Sequence, residues 1–264
     1  MMMKNEAPKN GPRTEYHKNG QKLTEENYKD GKLNGKWTWW YENGQISNEG
    51  NYKDGKRDGK QTDYYMNGQI KEERNLKDGN TEGKFTKWHA NGQVEIEGNF
   101  KDDYPDGKST KWYANGQTEI EGNYIDGKKD GKWTCWCNNG QKRREVSYKD
   151  DKLNGRTINS WYENGQIKEE RNYKNNRIHT NWTWWREDGT KHSEMYYKDG
   201  MERLKWTWWY ENGQKEAEYH FKGFDYGTRD GRSTNWDENG QIEAVAIFKD
   251  DECISGDYDY FKDL

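Results

Sequence analysis

Glutamate returns at one fixed spacing through most of the chain: Glu25, Glu49, Glu73, Glu97, Glu121, Glu145, Glu170, Glu194 and Glu218. A carboxylate on a rigid frame can serve as a general acid or base, but that chemistry needs one special pair in a cleft that drives two pKa values apart. Nine copies in one sequence setting fit a structural part better. Each Glu follows a threonine and an aromatic residue, so its carboxylate can accept hydrogen bonds from a hydroxyl or an indole N–H. The aromatic position reads Tyr16, Trp40, Tyr64, Trp88, Trp112, Trp136, Trp161, Trp185, Trp209 and Trp236. The threonine is present in nine units, with Asn159 in the other. Glu49, Glu73, Glu97 and Glu121, with the tryptophans of the aromatic position, are therefore expected to form a structural ladder.

Other chemistry-bearing residues are sparse. Cys135 and Cys137 share one side of a strand-like run, where a disulfide would be strained, and they have no second pair to complete a zinc site. With Cys253 they form an odd set that suits a reducing compartment. His17, His89, His179, His192 and His220 are scattered; His17 and His89 read as surface strand residues. The acidic segment at 102–107 lacks the spacing of a calcium loop, and no phosphate-binding glycine loop is present. No catalytic residue, metal or cofactor is expected.

The elements that carry these residues are set by repetition. The triplet Asn-Gly-Gln occurs nine times and a variant, Asp188-Gly189-Thr190, once. The spacing is 24 residues, with one residue added near 156–160 and three near 223–228. Each unit reads as two strands, because aromatic and threonine residues cluster on either side of Asn-Gly, a strong hairpin signal. A longer loop such as DGKRDG at 54–59 leads to the next unit. No stretch shows apolar residues at helical spacing. The expected fold is all-β: an elongated, twisted, single-layer antiparallel meander of about ten β-hairpin repeats, solenoid-like. Residues 1–10 are expected to be a flexible tail, 11–256 the ten repeats, and 257–264 a closing strand or cap.

A two-residue turn at Asn43-Gly44 would place Thr38, Trp40, Gln45, Glu49 and Asn51 on one face. The opposite face would carry Trp37, Trp39, Tyr41, Ile46 and Tyr52, with Tyr52 across from the next strand's Trp37-type residue. That second face varies between units. It is rich in large side chains at Trp37, Trp39 and Tyr41, and again at Trp182, Trp184, Trp206, Trp208, Tyr210 and Tyr219, which makes these the candidate partner-binding residues.

Only 28% of residues are hydrophobic and 35% are charged, yet 15% are aromatic. Disordered chains are poor in aromatics, so the chain is expected to be ordered around a thin aromatic layer. The formal charge of -4 gives no basis for capturing nucleic acid or an anionic membrane. The start of the sequence lacks the apolar core of a secretory signal, and cytoplasmic location is the expectation, with secretion as the alternative if a signal was trimmed.

The unit W-T-x-W-Y-x-N-G-Q, followed by x-x-x-E-x-x-Y-x-D-G-x-x-x-G-K, resembles the MORN-variant repeat of bacterial proteins over residues 11–256. It is similar to the antitoxin, or immunity, proteins built from this variant. The resemblance implies a β-hairpin array without catalytic residues that binds another protein, a toxin or effector, and blocks or organises it. The alternatives are an aromatic repeat protein that binds carbohydrate or cell wall, and a lipid-associated scaffold of the MORN type; membrane association is disfavoured by the acidic charge. Two departures stand out: Arg186 where Tyr is usual, and the longer connection at 223–231. The first unit, with Pro12, and the acidic end are expected to blunt the sheet edges, with an edge-to-edge homo-oligomer as the alternative.

Overall fold

The computed structural model describes residues 8–198, 202–223 and 228–261. Among the described residues there are 25 strands, all paired antiparallel in an open meander, and one four-residue helix. The chain divides into two compact units, residues 1–128 with 138–140, and residues 129–137 with 141–264. Each unit is a succession of hairpins. Residues 1–7, 199–201, 224–227 in the long connection and 262–264 lie outside the described residues.

In the first unit, strands Gly35–Trp40 and Ile46–Lys53 show how a repeat is built. Thr38 pairs with Glu49 and Trp39 with Asn48, but Trp40 pairs with Ile46, so Ser47 is an extra residue. The turn explains this shift. The Gly44 N–H donates to the Tyr41 carbonyl at 2.9 Å and the Tyr41 N–H to the Gln45 carbonyl at 2.8 Å. Gly44 has φ +82°, while Asn43 is absent from the left-handed residues. The turn is a three-residue loop closed by a glycine bulge, not the expected two-residue type. Asn43 serves through its side chain: its Oδ1 accepts from Gln45 N at 3.0 Å and its Nδ2 donates to Met66 O in the next turn at 3.1 Å. The bulge also moves Ile46 to the threonine face, beside Trp40.

The two-residue turn sits at the other end of the hairpin. Asp54 (φ +51°) and Gly55 (φ +85°) are flanked by the pair Lys53 and Lys56, which is the backbone of a type I′ turn. The expected loop at 54–59 is thus a tight turn followed by a bulge, where the Asp58 N–H donates to Asn51 O at 2.9 Å. Four of these turns have no glycine and hold two left-handed residues: Asp102-Asp103, Asp150-Asp151, Asn175-Asn176 and Asp250-Asp251. Asn and Asp tolerate that conformation, and here the second side chain adds a bond to the preceding turn. Asp103 Oδ1 accepts from Thr81 N at 2.6 Å, Asp151 Oδ1 from Lys129 N at 2.8 Å, and Asp251 Oδ1 from Arg229 N at 2.7 Å.

The register also corrects the second unit. Ile158 pairs with Glu170 and Ser160 with Glu169, so Ile158 holds the threonine site. Asn159 is the inserted residue, accommodated by a bulge because a strand admits one extra residue there without shifting its pairs further on.

Both described chain ends are tied to the repeats beside them. The tail is fixed as far back as Lys9, whose carbonyl accepts from Gly31 N at 2.8 Å; Asn10 Oδ1 accepts from Asp30 N at 2.9 Å. The closing strand is Glu252–Gly256, and the chain then turns into a helix, α1, Tyr258–Phe261. A helix this short has no sequence period to reveal it.

The paired left-handed turns lead to a test. Asp151→Ala keeps the unfavourable φ and loses the bond to Lys129, so it should destabilise the chain by about 1–2 kcal/mol. Asp151→Gly loses the bond but relieves the backbone, and should cost under about 0.5 kcal/mol. Urea unfolding of the two variants checks the ranking.

Candidate partner-binding face

On one face, threonine and glutamate alternate across successive strands. Thr38 faces Glu49 of its own hairpin and Glu25 of the hairpin before. Thr38, Thr62, Thr86, Thr110, Thr134, Thr183, Thr207 and Thr234 are all buried. The glutamates are half-buried, and their main partner is a residue the sequence reading overlooked. Lys36 lies 2.7 Å from Glu49, Lys60 2.6 Å from Glu73, Lys84 2.9 Å from Glu97 and Lys108 2.8 Å from Glu121. In the second unit Lys132 lies 3.0 Å and Lys142 2.6 Å from Glu145, and Arg156 pairs with Glu170. All of these cations except Lys142, which lies three residues before its own glutamate, stand two residues before the threonine, or before Ile158 in its place, so their recurrence was available as a signal.

The expected hydroxyl bonds also occur. The Tyr64 hydroxyl donates to Glu49 Oε1 at 2.8 Å, and Thr183 Oγ1 donates to Glu194 at 3.0 Å. The Lys36 bond, and then Tyr64, hold the Glu49 carboxyl below its ordinary pKa against the opposing effect of burial. Burial first, and then the bond to Glu49, push Tyr64 up to about 12. For Glu145 burial acts upward, but Lys142 and Lys132 outweigh it and the net shift is downward. Trp40, Trp88, Trp112, Trp136, Trp161, Trp185, Trp209 and Trp236 lie half-buried along this face. Clefts between repeats, such as that lined by Glu73, Lys84, Trp88 and Val94, present carboxylates that are already neutralised.

Two candidate partner residues also serve the scaffold. The Tyr41 hydroxyl donates to Tyr64 O at 2.7 Å and that of Tyr210 to Trp236 O at 2.7 Å. Each ties its turn to the following repeat. His17 and His89, expected to be plain surface residues, reach Trp40 O and Trp112 O at 2.9 Å through Nε2. Arg186 does the same for Trp209 O and also donates to Lys191 O at 2.7 Å. The departure from Tyr therefore preserves the bond, because any donor of sufficient reach can serve there.

The opposite face carries the large aromatics. Trp37 is 2% exposed because it stands opposite Gly50, where a Cβ would come within 3.0 Å of Trp37 Nε1. Trp39 meets Trp37 edge-on at 5.5 Å, and Tyr52 lies 6.0 Å from Trp37. Tyr52 thus packs on its own hairpin's Trp37, and Arg57 is the residue across from it on the next strand. Trp39 remains 37% exposed.

In the second unit the indoles stack. Trp182 and Trp184 lie 4.5 Å apart at 27°, and Trp206 and Trp208 4.1 Å apart at 28°. The Arg171 guanidinium lies 3.7 Å from the Trp182 ring centre, held by Glu169 at 2.6 Å. Trp182, Trp184, Trp206 and Trp208 are half-buried. Tyr219, 5.1 Å from Trp208, is 8% exposed and belongs to the core. So Trp39, Trp182, Trp184, Trp206 and Trp208 are at least partly accessible, as are Tyr41 and Tyr210 beside their scaffold bonds, while Trp37 and Tyr219 are buried. Among the described residues no cluster of three His, Cys, Asp or Glu is placed to hold a metal ion. None of their helices is long and apolar enough to cross a membrane.

The sequence profile of the MORN repeat variant matches residues 9–30, 33–54, 57–78, 81–102, 105–126, 129–150, 159–175, 204–222 and 229–250, more than half of the chain. No curated protein sequence matches it. Among solved structures, the crystal structure of TcdB2-TccC3-Cdc42 shares 12% identity over 97% of this chain and 14% of that chain, with a TM-score of 0.22. The Photorhabdus luminescens Tc holotoxin pore shares 10% over 93% of this chain and 15% of that one, with a TM-score of 0.21. The chain spans about a seventh of the length of either.

The Tyr64–Glu49 bond sets a pH window. A raised phenol contributes stability that is complete below the ordinary tyrosine value near 10 and is lost as pH rises toward about 12. A lowered carboxyl contributes above its ordinary value near 4 and is lost on acidification. Tyr64→Phe should therefore cost about 1 kcal/mol between pH 6 and 9, after allowance for solvent screening. The difference from the parent chain should shrink above pH 10 and below pH 4 in denaturant titrations.

Proposed function

This chain belongs to the MORN repeat variant family, and from that premise we propose that it is a non-enzymatic scaffold of the immunity type, which binds a toxin or effector protein in the cytoplasm and blocks it. One observation carries the reading: the stacked pairs Trp182–Trp184 and Trp206–Trp208, held half-exposed in consecutive repeats. Aromatic residues and arginine are the side chains that most often anchor protein interfaces, and these are preorganised by their stacking and by Arg171, which lowers the ordering cost of binding. The opposite face has its glutamates paired with its lysines, so it offers a partner little unspent charge.

The same stacking closes the Trp182 ring to a sugar. Arg171 and Trp184 both lie in face contact with Trp182, at 3.7 Å and 4.5 Å, and they must occupy opposite sides of the ring. A sugar would need one of those sides free.

Affinity capture from the native host with the intact chain, followed by mass spectrometry, should return one stoichiometric protein. Trp184→Ala should weaken that association at least tenfold and change folding stability by less than about 1 kcal/mol. Trp112→Ala, on the ladder face, should show the reverse: a stability loss of about 2–3 kcal/mol and unchanged affinity for the surviving folded fraction. Retention on cell-wall glycan without a protein partner, or the opposite ranking of the variants, would overturn the reading.

A further inference from the structure

The face that carries the stacked indoles is closed at the last repeats by the chain's own α1. Phe261 is 1% exposed, with its ring 6.0 Å from Tyr219 and 6.1 Å from Phe248, edge-on to both. The hollow that receives it is formed by Ala217, Ala244 and Ala246. Ala217 and Ala244 pair with Trp208 and Asn235, the register position held in other repeats by Asn48, Glu72 and Arg144. Small residues there leave room for a ring. Arg229 completes the site: Nη1 donates to the Phe261 carbonyl at 3.0 Å, and its guanidinium lies 5.1 Å from the Phe248 ring centre.

The walls and the insert differ in how they are held. The walls stand on strands paired on both sides, so the hollow does not depend on α1. The insert is a single helical turn, too short to persist alone. Phe261 is its only buried side chain, while Tyr258 and Tyr260 are exposed. Besides the Arg229 bond to the Phe261 carbonyl, Asp257 ties the segment to Val245 twice, its N–H donating to Val245 O and its Oδ2 accepting from Val245 N, each at 2.9 Å, and the Tyr260 hydroxyl donates to Glu243 at 3.2 Å. Segments with so few buried contacts open far more readily than the body they rest on.

We propose that α1 is a removable plug, and that the socket beneath it docks a partner segment presenting an aromatic side chain beside a carbonyl or carboxylate oxygen. The inference deepens the protein-binding reading and rests on it for the identity of the occupant. Phe261 and the incoming ring fill the same volume, so binding requires that α1 swing away. The plug itself defines the chemistry: a ring for the alanine-floored hollow and an oxygen for Arg229.

The test uses a fluorescent synthetic peptide of residues 257–264, titrated by anisotropy against three proteins: the intact chain, the chain ending at Gly256, and the intact chain with Phe261→Ala. The peptide should bind the shortened and Phe261→Ala chains at least tenfold more tightly than the intact chain, and a peptide carrying Phe261→Ala should bind none of them. Equal affinity for all three proteins overturns the proposal, as does absence of binding to variants whose circular dichroism and melting match the intact chain. Unfolding of both variants also overturns it, because α1 would then be a required part of the fold. The assay needs no partner. If the peptide behaves as expected while affinity capture finds no protein, the plug stands and the protein-binding reading falls.

Discussion

The pairing of a buried threonine with two half-buried glutamates governs the rest of each unit. Thr38 stands between Glu25 and Glu49, and Thr62 between Glu49 and Glu73. A carboxylate half removed from water must be paired or hydrogen-bonded. That requirement places lysines such as Lys36 and Lys60 on the same face and holds the register, because a slip of one residue would carry every charge to the aromatic side. Ile158 shows which property of threonine the row depends on. It sits in the same buried site between Glu145 and Glu170, so a compact β-branched side chain suffices, and the cations Lys132, Lys142 and Arg156 satisfy the carboxylates without a hydroxyl.

With register fixed on one face, the other is free to vary in side-chain volume. Trp37 stands opposite Gly50, Phe85 opposite Gly98, and Ser233 between Tyr219 and Ala246. At these three sites a large side chain stands beside a small cross-strand neighbour, whereas Trp133 is buried opposite Val146. The stacked tryptophans and the Phe261 socket are two results of this variation: in the first, large residues crowd together and stay partly exposed; in the second, three alanines leave a hollow.

The repeat length, the hairpins and the Thr–Glu pairing were legible in the sequence because they rest on residue types that recur at one spacing. The turns were not. Asn-Gly suits either a two-residue turn or a three-residue loop closed by a glycine bulge, and the choice depends on where the flanking hydrogen bonds close, which the dipeptide does not encode. That error moved Ile46 to the wrong face. The scaffold bonds of Tyr41 and Tyr210 were hidden for a related reason: their hydroxyls reach a carbonyl in the following repeat, a contact that period two within one hairpin does not contain. The burial of Trp37 depends on the absence of a side chain at Gly50, which the strand pattern around Trp37 does not reveal. Phe261 left no mark, since a single anchor on a four-residue helix has no periodicity.

The side-chain bonds between turns have a limited reach. Asn43 touches the next turn at Met66, Tyr41 the next strand end at Tyr64, and Asp151 the preceding turn at Lys129. Through these bonds a hairpin reaches no farther than the neighbouring repeat. A sheet assembled from such near neighbours has the low contact order usual for helical bundles. Synthesis from the N-terminus can therefore lock one hairpin onto the last while the remaining repeats are still inside the ribosome.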